Sequence, residues 1–208
     1  MNHHYETSVD RKSRWGGFLE NPLISRWQRN CLDAGRIQGL CKAIQPYDYQ
    51  SLLDVGCGGG EGKSANKDFY CGIDNSFTRV RFAAQHSPGH FFVSGDARTL
   101  PFKNRSFDMV MLIDTSHHIA DHQLPAAINE LKRVSKKYIT ISDPVLFPNQ
   151  NPLSRLVYSL DRGGCIRRVD QMTRILEQIG GTRLLDVVQF KTFPGLYIHA
   201  AFILQIIG

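Results

Sequence analysis

A short apolar segment that runs into a cluster of glycines constrains this sequence most. Residues 52–60 read Leu-Leu-Asp-Val-Gly-Cys-Gly-Gly-Gly, and the apolar part predicts a buried strand. Glycines directly after a strand let the backbone approach a ligand closely, because they lack a Cβ atom and accept left-handed conformations. In open α/β sheets, ligands bind at the carboxyl ends of the strands. The segment therefore predicts a ligand-binding turn at the edge of a sheet.

The rest of the chain alternates between strand patterns and helical patterns. The strand patterns lie at residues 51–55, 69–73, 90–94, 107–113, 138–142, 184–189 and 196–206. The helical patterns lie at residues 77–85, 124–135, 152–160 and 169–179. Such alternation implies parallel strands joined by crossovers, and the short connection before the last strand predicts an antiparallel hairpin. We expect a doubly wound α/β domain with a mostly parallel seven-stranded sheet and a C-terminal antiparallel hairpin.

A helical extension is predicted before the first strand. Asn21-Pro22 is typical of a helix start, and apolar residues recur at helical spacing as far as Ile44. Pro46 and Asp48 end the segment. We divide the chain into an N-terminal helical extension, residues 1–48, which is a candidate substrate lid, and a ligand-binding domain, residues 49–208.

Composition and charge exclude several classes of protein. The longest apolar run, residues 197–207, is too short to span a membrane, and the polar start lacks the apolar core of a secretory signal, so we expect a soluble cytoplasmic protein. The five cysteines never form a C-x-x-C pair, which argues against a disulfide framework and against a zinc site. The net charge of +6 is concentrated in residues 132–174. That region is either a solvated basic face or the contact for an anionic substrate, and no RNA-binding motif accompanies it.

Three classes of ligand use a glycine turn of this kind. A dinucleotide fingerprint, G-x-G-x-x-G, fails because its third glycine is replaced by Glu61. A nucleoside triphosphate site is imitated by Gly62-Lys63-Ser64, but Cys57 stands where a P-loop has glycine. The next strand also begins too early for the long helix that follows a P-loop. A P-loop NTPase is kept only as a remote alternative, which leaves an adenosyl ligand as the third class.

Four segments in order resemble the type 11 group of class I methyltransferases, which bind S-adenosylmethionine in a Rossmann-like fold and act largely on small molecules. The resemblance runs from about residue 51 to residue 143. Its segments are residues 53–60, the first motif; residues 71–76, the second strand; residues 95–102, the loop around the adenine; and residues 106–119, the fourth strand with its loop.

The resemblance implies which residues bind S-adenosylmethionine. Asp74 suits the two ribose hydroxyls, because a carboxylate has two acceptor oxygens. Asp96 suits the adenine amino group, and the Ala97 backbone N–H suits a ring nitrogen. Asp54 orders the turn or meets the methionine ammonium. The full set is Asp54, Gly56, Cys57, Gly58, Gly60, Asp74, Asn75, Asp96, Ala97 and Ile113.

The reaction that the resemblance implies is methyl transfer to a small molecule or to an envelope or lipid precursor, with S-adenosylhomocysteine as the product. One segment departs from the family pattern. Residues 61–68 are too few for the helix that normally precedes the second strand, and they carry no apolar stripe. A non-catalytic S-adenosylmethionine-binding or interaction module is therefore the main alternative.

Two histidines follow the fourth strand, where the methyl group of the cofactor is expected to point. His117 and His118 are candidates for the base that removes a proton from the acceptor, since histidine titrates near neutral pH. The alternative for each is a capping or packing role. Acceptor recognition is expected to come from residues 1–30 and from residues 146–168, whose basic glycine-containing part, residues 161–168, is a candidate lid. The sequence leaves the acceptor atom and the oligomeric state open.

Overall fold

The computed structural model describes residues 35–160, 164–192 and 195–207. The predicted helix start at Asn21-Pro22 lies outside these ranges. The helices described are α1 Arg36–Ile44, α2 Phe77–His86, α3 Leu124–Val134, α4 Pro152–Leu160 and α5 Val169–Glu177, with short 3-10 helices at Glu61–Ala65 and Ser116–His118. The strands described are β1 Ser51–Val55, β2 Phe69–Asp74, β3 Phe91–Ser94, β4 Phe107–Ile113, β5 Ser135–Pro144, β6 Thr182–Lys191 and β7 Ile198–Ile206.

The strands form one seven-stranded sheet in the order β3-β2-β1-β4-β5-β7-β6. The first five strands in that order pair in parallel, and β7 pairs antiparallel with both β5 and β6. The predicted α/β architecture, with its mostly parallel sheet and its C-terminal antiparallel hairpin, is confirmed. The order also brings the carboxyl ends of β1, β2 and β4 together at one edge.

The apolar side chains of the central strands bury both faces of the sheet. Successive residues of a strand point to opposite faces. Leu53 and Val110 therefore join the core that α3 and α5 cover. Leu52 and Met109 join the core on the other face, where α1 packs. Strands buried on both sides explain why residues 107–113 are almost wholly apolar.

Helix α1 packs closely against the C-terminal hairpin, because the residue of the helix at the contact is a glycine. A Cβ atom on Gly39 would lie 2.3 Å from the ring of Phe190 in β6. Glycine therefore permits a close helix–sheet approach here. The same helix packs against the 3-10 helix Glu61–Ala65, so its first residue, Arg36, reaches the edge of the sheet where the glycine turn lies.

Several element boundaries differ from the predicted ones. The predicted helix 124–135 ends at Val134, and the predicted strand 138–142 already starts at Ser135, because Ser135 pairs with Phe107 at the start of β4. The polar residues Lys136 and Lys137 hid this extension. They form ion pairs with Asp108 and Asp48 at the amino ends of the parallel strands. Strand β7 begins at residue 198 rather than 196, because Leu196 and Tyr197 pack against α4 instead.

Candidate active site

A cavity of ≈ 770 Å³ opens at the carboxyl ends of β1, β2 and β4. Nine of the ten predicted cofactor-binding residues line it, namely Asp54, Gly56, Cys57, Gly58, Asp74, Asn75, Asp96, Ala97 and Ile113. Gly60 is not part of the lining. It has a left-handed φ of 80° at the start of the 3-10 helix, where a Cβ atom would lie 3.0 Å from the ring of Phe92.

The backbone N–H groups of the glycine turn bind the end of β2. Gly56 and Cys57 both donate to the carbonyl of Ile73, at 2.7 and 3.0 Å, and Gly58 donates to the Asp74 carboxylate at 2.9 Å. Gly60 donates to the carbonyl of Cys57 within the turn itself. These four donors are therefore engaged by the protein, unlike the N–H groups that cradle a phosphate in a P-loop.

Gly56 lets the loop after β4 approach the turn. Its φ is 76°, and a Cβ atom would lie 2.2 Å from the hydroxyl oxygen of Thr115. Both the conformation and the space require glycine at this position. The close contact joins the first motif to the loop that carries the two histidines.

Asp74 is buried, and its carboxylate connects the turn to the start of α2. Oδ2 accepts from the Gly58 N–H and Oδ1 accepts from the Ser76 N–H, each at 2.9 Å. Asp74 therefore caps the end of the strand through both carboxylate oxygens. Each carboxylate oxygen can accept a second hydrogen bond, and Asp74 also lines the cavity, so binding of hydroxyl groups remains open to it.

Asp54 is buried to 1% exposure and lines the same cavity. The hydroxyl of Tyr70 donates to its Oδ2 at 2.7 Å, while its Oδ1 has no hydrogen-bond partner among the described residues. Burial raises the pKa of Asp54 to about 7. A buried carboxylate oxygen without a partner is costly, and a cationic ligand group in the cavity relieves that cost.

The loop after β3 is held by its own aspartate. Asp96 accepts from the backbone N–H of Arg98 at 2.8 Å and from the Arg98 guanidinium. The hydrogen bond with the Arg98 side chain lowers the pKa of Asp96, so this carboxylate is ionised at neutral pH. Ala97, between them, lines the cavity and packs on the core under β2 and β4.

Five charged residues of the cavity were not predicted, and three of them, Arg36, Glu61 and Asp114, form one ion-pair cluster. Arg36 of α1 is 9% exposed, and it donates from Nε to Asp114 at 2.6 Å and from Nη2 to Glu61 at 2.5 Å. Asp114 follows β4 with a left-handed φ of 46°, and its Oδ1 lies 3.5 Å from Nδ1 of His199. The unusual φ of a non-glycine residue at a strand end is a feature of functional sites. Arg36, Glu61 and Asp114 are too far apart in the sequence for a local spacing pattern to connect them.

The two histidines have different surroundings. His117 is buried, and its Nδ1 contacts Oδ1 of Asp143 at the end of β5, whose Oδ2 accepts from the Ser116 N–H at 3.2 Å. His118 is half-buried and lines the cavity, and its ring centroid lies 4.3 Å from that of His117. His117 is thus packed against Asp143, while His118 faces the cavity. A catalytic role for either histidine stays a prediction.

Arg167 holds the histidine loop from the side of the predicted basic lid. Its guanidinium donates to the carbonyls of Ser116 and Ile119, at 2.9 and 2.7 Å, and to the carboxylate of Asp121 at 2.9 Å. The side chain is buried, so it is engaged by the loop rather than presented to an anionic substrate. Residues 161–163 of the predicted lid lie outside the described ranges.

The P-loop alternative finds no support in the position of its lysine. Lys63 donates to the hydroxyl of Ser87 at 2.5 Å, and it is not among the residues that line the cavity. Within the described ranges no group of three or more metal-ligating side chains comes together, and no described helix has the length and apolar character to cross a membrane.

Residues 53–138 match the family model of a methyltransferase domain, of type 11. This part of the chain is similar to that methyltransferase domain. The matched residues run from β1 into β5 and include the glycine turn, Asp74, Asp96 and both histidines. This is the family whose pattern the sequence resembles.

Two curated relatives are mycobacterial enzymes. Over 90 residues the chain is 37% identical to a probable phthiotriol/phenolphthiotriol dimycocerosates methyltransferase 2 of Mycobacterium ulcerans, covering 40% of this chain and 34% of that protein. Over 73 residues it is 37% identical to a fatty-acid O-methyltransferase of Mycolicibacterium smegmatis, covering 32% of this chain and 27% of that protein. The match spans about a third of the length of these relatives.

Two solved structures are similar over nearly the whole chain. The cyclase SpnF has a TM-score of 0.72 at 17% identity, covering 97% of each chain. The magnesium protoporphyrin IX methyltransferase of Synechocystis PCC 6803, with bound SAH, has a TM-score of 0.67 at 16% identity, covering 91% of this chain and 97% of that one. These likenesses show the class I methyltransferase fold, and the cyclase illustrates that this fold alone does not determine a reaction.

The raised pKa of Asp54 predicts how its charge affects stability. Below about pH 4 the carboxyl is neutral in both the folded and the unfolded chain, and between about pH 4 and pH 7 only the folded chain keeps the proton. Stability from this group therefore falls as pH rises through that window. Asp54→Asn, which keeps an acceptor for Tyr70, should gain roughly 4 kcal/mol relative to the wild type between pH 4 and pH 8. Urea denaturation of both proteins measures this difference, and a pH-independent difference would contradict it.

The buried role of Arg167 predicts a large effect of removing it. Arg167→Met leaves two carbonyls of the histidine loop without their donor, and we expect a loss of roughly 2–4 kcal/mol of unfolding free energy. Amide hydrogen exchange should become faster in residues 116–121. Arg168→Met is the matched control, because the Arg168 side chain is 61% exposed and forms an ion pair with the exposed Asp170. Its stability should change by no more than about 0.5 kcal/mol; equal effects of the two substitutions would disprove the assignment.

Proposed function

We propose that this protein is an S-adenosylmethionine-dependent methyltransferase that acts on a lipid or another small molecule. The carrying observation is the cavity at the ends of β1, β2 and β4, which the buried carboxyl groups of Asp54 and Asp74 line. The family match over residues 53–138 supports the same function.

The charges of the cavity favour a cationic ligand over a phosphate. Five acidic side chains line it against three arginines, namely Asp54, Glu61, Asp74, Asp96 and Asp114 against Arg36, Arg79 and Arg98. Four N–H groups of the turn are engaged by the protein. Negative charge at a site that offers few donors disfavours a di- or triphosphate. A sulfonium ligand with an ammonium group is positively charged overall and suits this surface.

The residues present therefore fit S-adenosylmethionine. We assign the ribose hydroxyls to Asp74, and the adenine to Asp96 and Ala97. The ammonium group is assigned to Oδ1 of Asp54, which has no hydrogen-bond partner among the described residues. When bound, the cofactor supplies a methyl group activated by the positive charge on its sulfur. At Gly58 no atom of the described residues lies within 4 Å of where a Cβ atom would be, so the ligand has room to approach the backbone there.

His118 is proposed as the base for an acceptor with a hydroxyl or carboxyl group. It lines the cavity, and the loop that carries it is held by Arg167 and by the contact of His117 with Asp143. A fixed imidazole can take the proton of a bound hydroxyl group while the acceptor oxygen is positioned for methylation. His117 serves as the buried support of this loop.

The acceptor class rests on the relatives. One acts, by its name, on phthiotriol dimycocerosates and the other on fatty acids. We extend this to a lipid acceptor for the present protein, with an anionic carboxylate as one form. Residues 1–48, of which α1 packs on the sheet, are proposed to form the cover of the acceptor side, and a cytoplasmic location is part of the same proposal.

Calorimetry tests the ligand class. The wild-type chain should bind S-adenosylmethionine and S-adenosylhomocysteine, and ATP should not displace either. Absence of binding at millimolar concentrations, or displacement by ATP, would overturn the proposed function.

Substitution of His118 tests the reaction. With radiolabelled methyl donor and long-chain fatty acids or hydroxylated lipids as acceptors, His118→Gln should lower turnover by about 100-fold or more, because a positioned base contributes on that order. Its dissociation constant for S-adenosylhomocysteine should stay within about threefold of the wild-type value. The exposed His122 provides the control, since His122→Gln should leave both quantities unchanged. Full turnover by His118→Gln would exclude a base at this position.

A further inference from the structure

One end of the cavity is bounded by an unusually short helix. The helix after the glycine turn is a 3-10 helix of 5 residues, Glu61–Ala65. In longer helices, aligned N–H groups at the N-terminus provide a favourable site for an anionic group. A single turn of 3-10 helix aligns few N–H groups for an anionic group. The four N–H groups of the preceding glycine turn are already bound within the protein, so they do not provide such a site either.

A ligand with an amino-acid portion needs a positive charge at this end. Its ammonium group suits Asp54, but its carboxylate would meet the acidic side chains of Glu61 and Asp114. An unpaired carboxylate beside two others is strongly unfavourable. A nearby cation is therefore required.

Arg36 is the cation in this position. Among the described residues that line the cavity, Arg98 is bound to Asp96 at the adenine end and Arg79 lies on α2, next to the end of β2. Arg36 contacts both acidic residues of the amino-acid end, one on each side of its guanidinium. It also comes from α1, the helix that packs against the short 3-10 helix.

We infer that Arg36 binds the carboxylate of the amino-acid portion of S-adenosylmethionine, with Glu61 and Asp114 holding its guanidinium in place. A guanidinium has five N–H donors in one plane, so it can contact more than one carboxylate. The inference rests on the proposed function. Arg36 of α1 thus supplies the positive charge that the short 3-10 helix does not provide.

Arg36 and its two acidic partners have a net charge opposite in sign to that of the ligand. Arg36 with Glu61 and Asp114 carries one net negative charge. The sulfonium, ammonium and carboxylate groups of the ligand together carry one net positive charge. Glu61 and Asp114 thus serve two purposes, since they orient Arg36 and also neutralise the positive groups of the ligand.

Decarboxylated S-adenosylmethionine isolates the contact, because it lacks only the carboxylate. We compare the ratio of its dissociation constant to that of S-adenosylmethionine in wild type and in Arg36→Met, by calorimetry. The ratio should fall by about 30-fold in Arg36→Met, the factor expected for one hydrogen-bonded charged contact. Loss of the partner for Glu61 and Asp114 affects both ligands and largely cancels in the ratio.

Lys42→Met is the matched control, since Lys42 lies on the same helix, is exposed and is not part of the cavity lining. Its ratio should equal that of the wild type. An unchanged ratio in a folded Arg36→Met would overturn the inference alone. Failure of the wild type to bind S-adenosylmethionine would overturn the proposed function and the inference together.

A measurement on the wild type covers the case in which Arg36→Met does not fold. The side-chain Nε–H resonance of Arg36, assigned with the help of Arg36→Lys, should shift on addition of S-adenosylmethionine or S-adenosylhomocysteine. It should shift clearly less with decarboxylated S-adenosylmethionine at saturation. Equal shifts with all three ligands would contradict contact with the carboxylate.

Discussion

The carboxylate of Asp74 is the contact on which the site depends most. It binds the N–H of Gly58 in the turn and the N–H of Ser76 before α2, so it fixes two chain segments at the end of β2. The Ile73 carbonyl adds two more hydrogen bonds to the same turn. Because β1, β2 and β4 are neighbours in the sheet, this fixed turn forms one wall of the cavity, and the loop after β4 forms the opposite wall.

Electrostatics then determine which ligand suits the cavity. The turn engages its own donors, and the surrounding side chains are mainly acidic. A phosphate needs the opposite arrangement, with free N–H groups and a nearby lysine. Lys63 instead contacts Ser87 outside the lining. The same glycine-rich sequence pattern can therefore serve different ligands, and the partners of its N–H groups tell them apart.

The fold and one half of the site follow from local sequence. The apolar residues 107–113 predicted a buried central strand, and the glycines after β1 and the acids after β2 and β3 predicted most of the cavity lining. Each of these signals lies within a few residues of the feature it predicts. The boundary at Ser135 could not be predicted, because pairing with Phe107 of β4 sets it. The boundary at Ile198 could not be predicted either, because it depends on the packing of Leu196 and Tyr197 against α4.

The other half of the site depends on contacts between distant parts of the chain. Arg36 and Asp114 are 78 residues apart, and Arg167 and Ser116 are 51 apart. Nor does sequence separate the two histidines, since only the contact with Asp143 shows that His117 points into the protein and His118 into the cavity. The sequence shows that the segment after the glycine turn is short, but it does not show that α1 packs against that segment.

A crystal structure grown with S-adenosylhomocysteine tests the central claim most directly. The account predicts a ligand in the cavity with its ribose hydroxyls on Asp74, its adenine beside Asp96 and Ala97, and its amino-acid portion between Asp54 and Arg36. A ligand bound in the reverse orientation, or outside this cavity, would contradict the account.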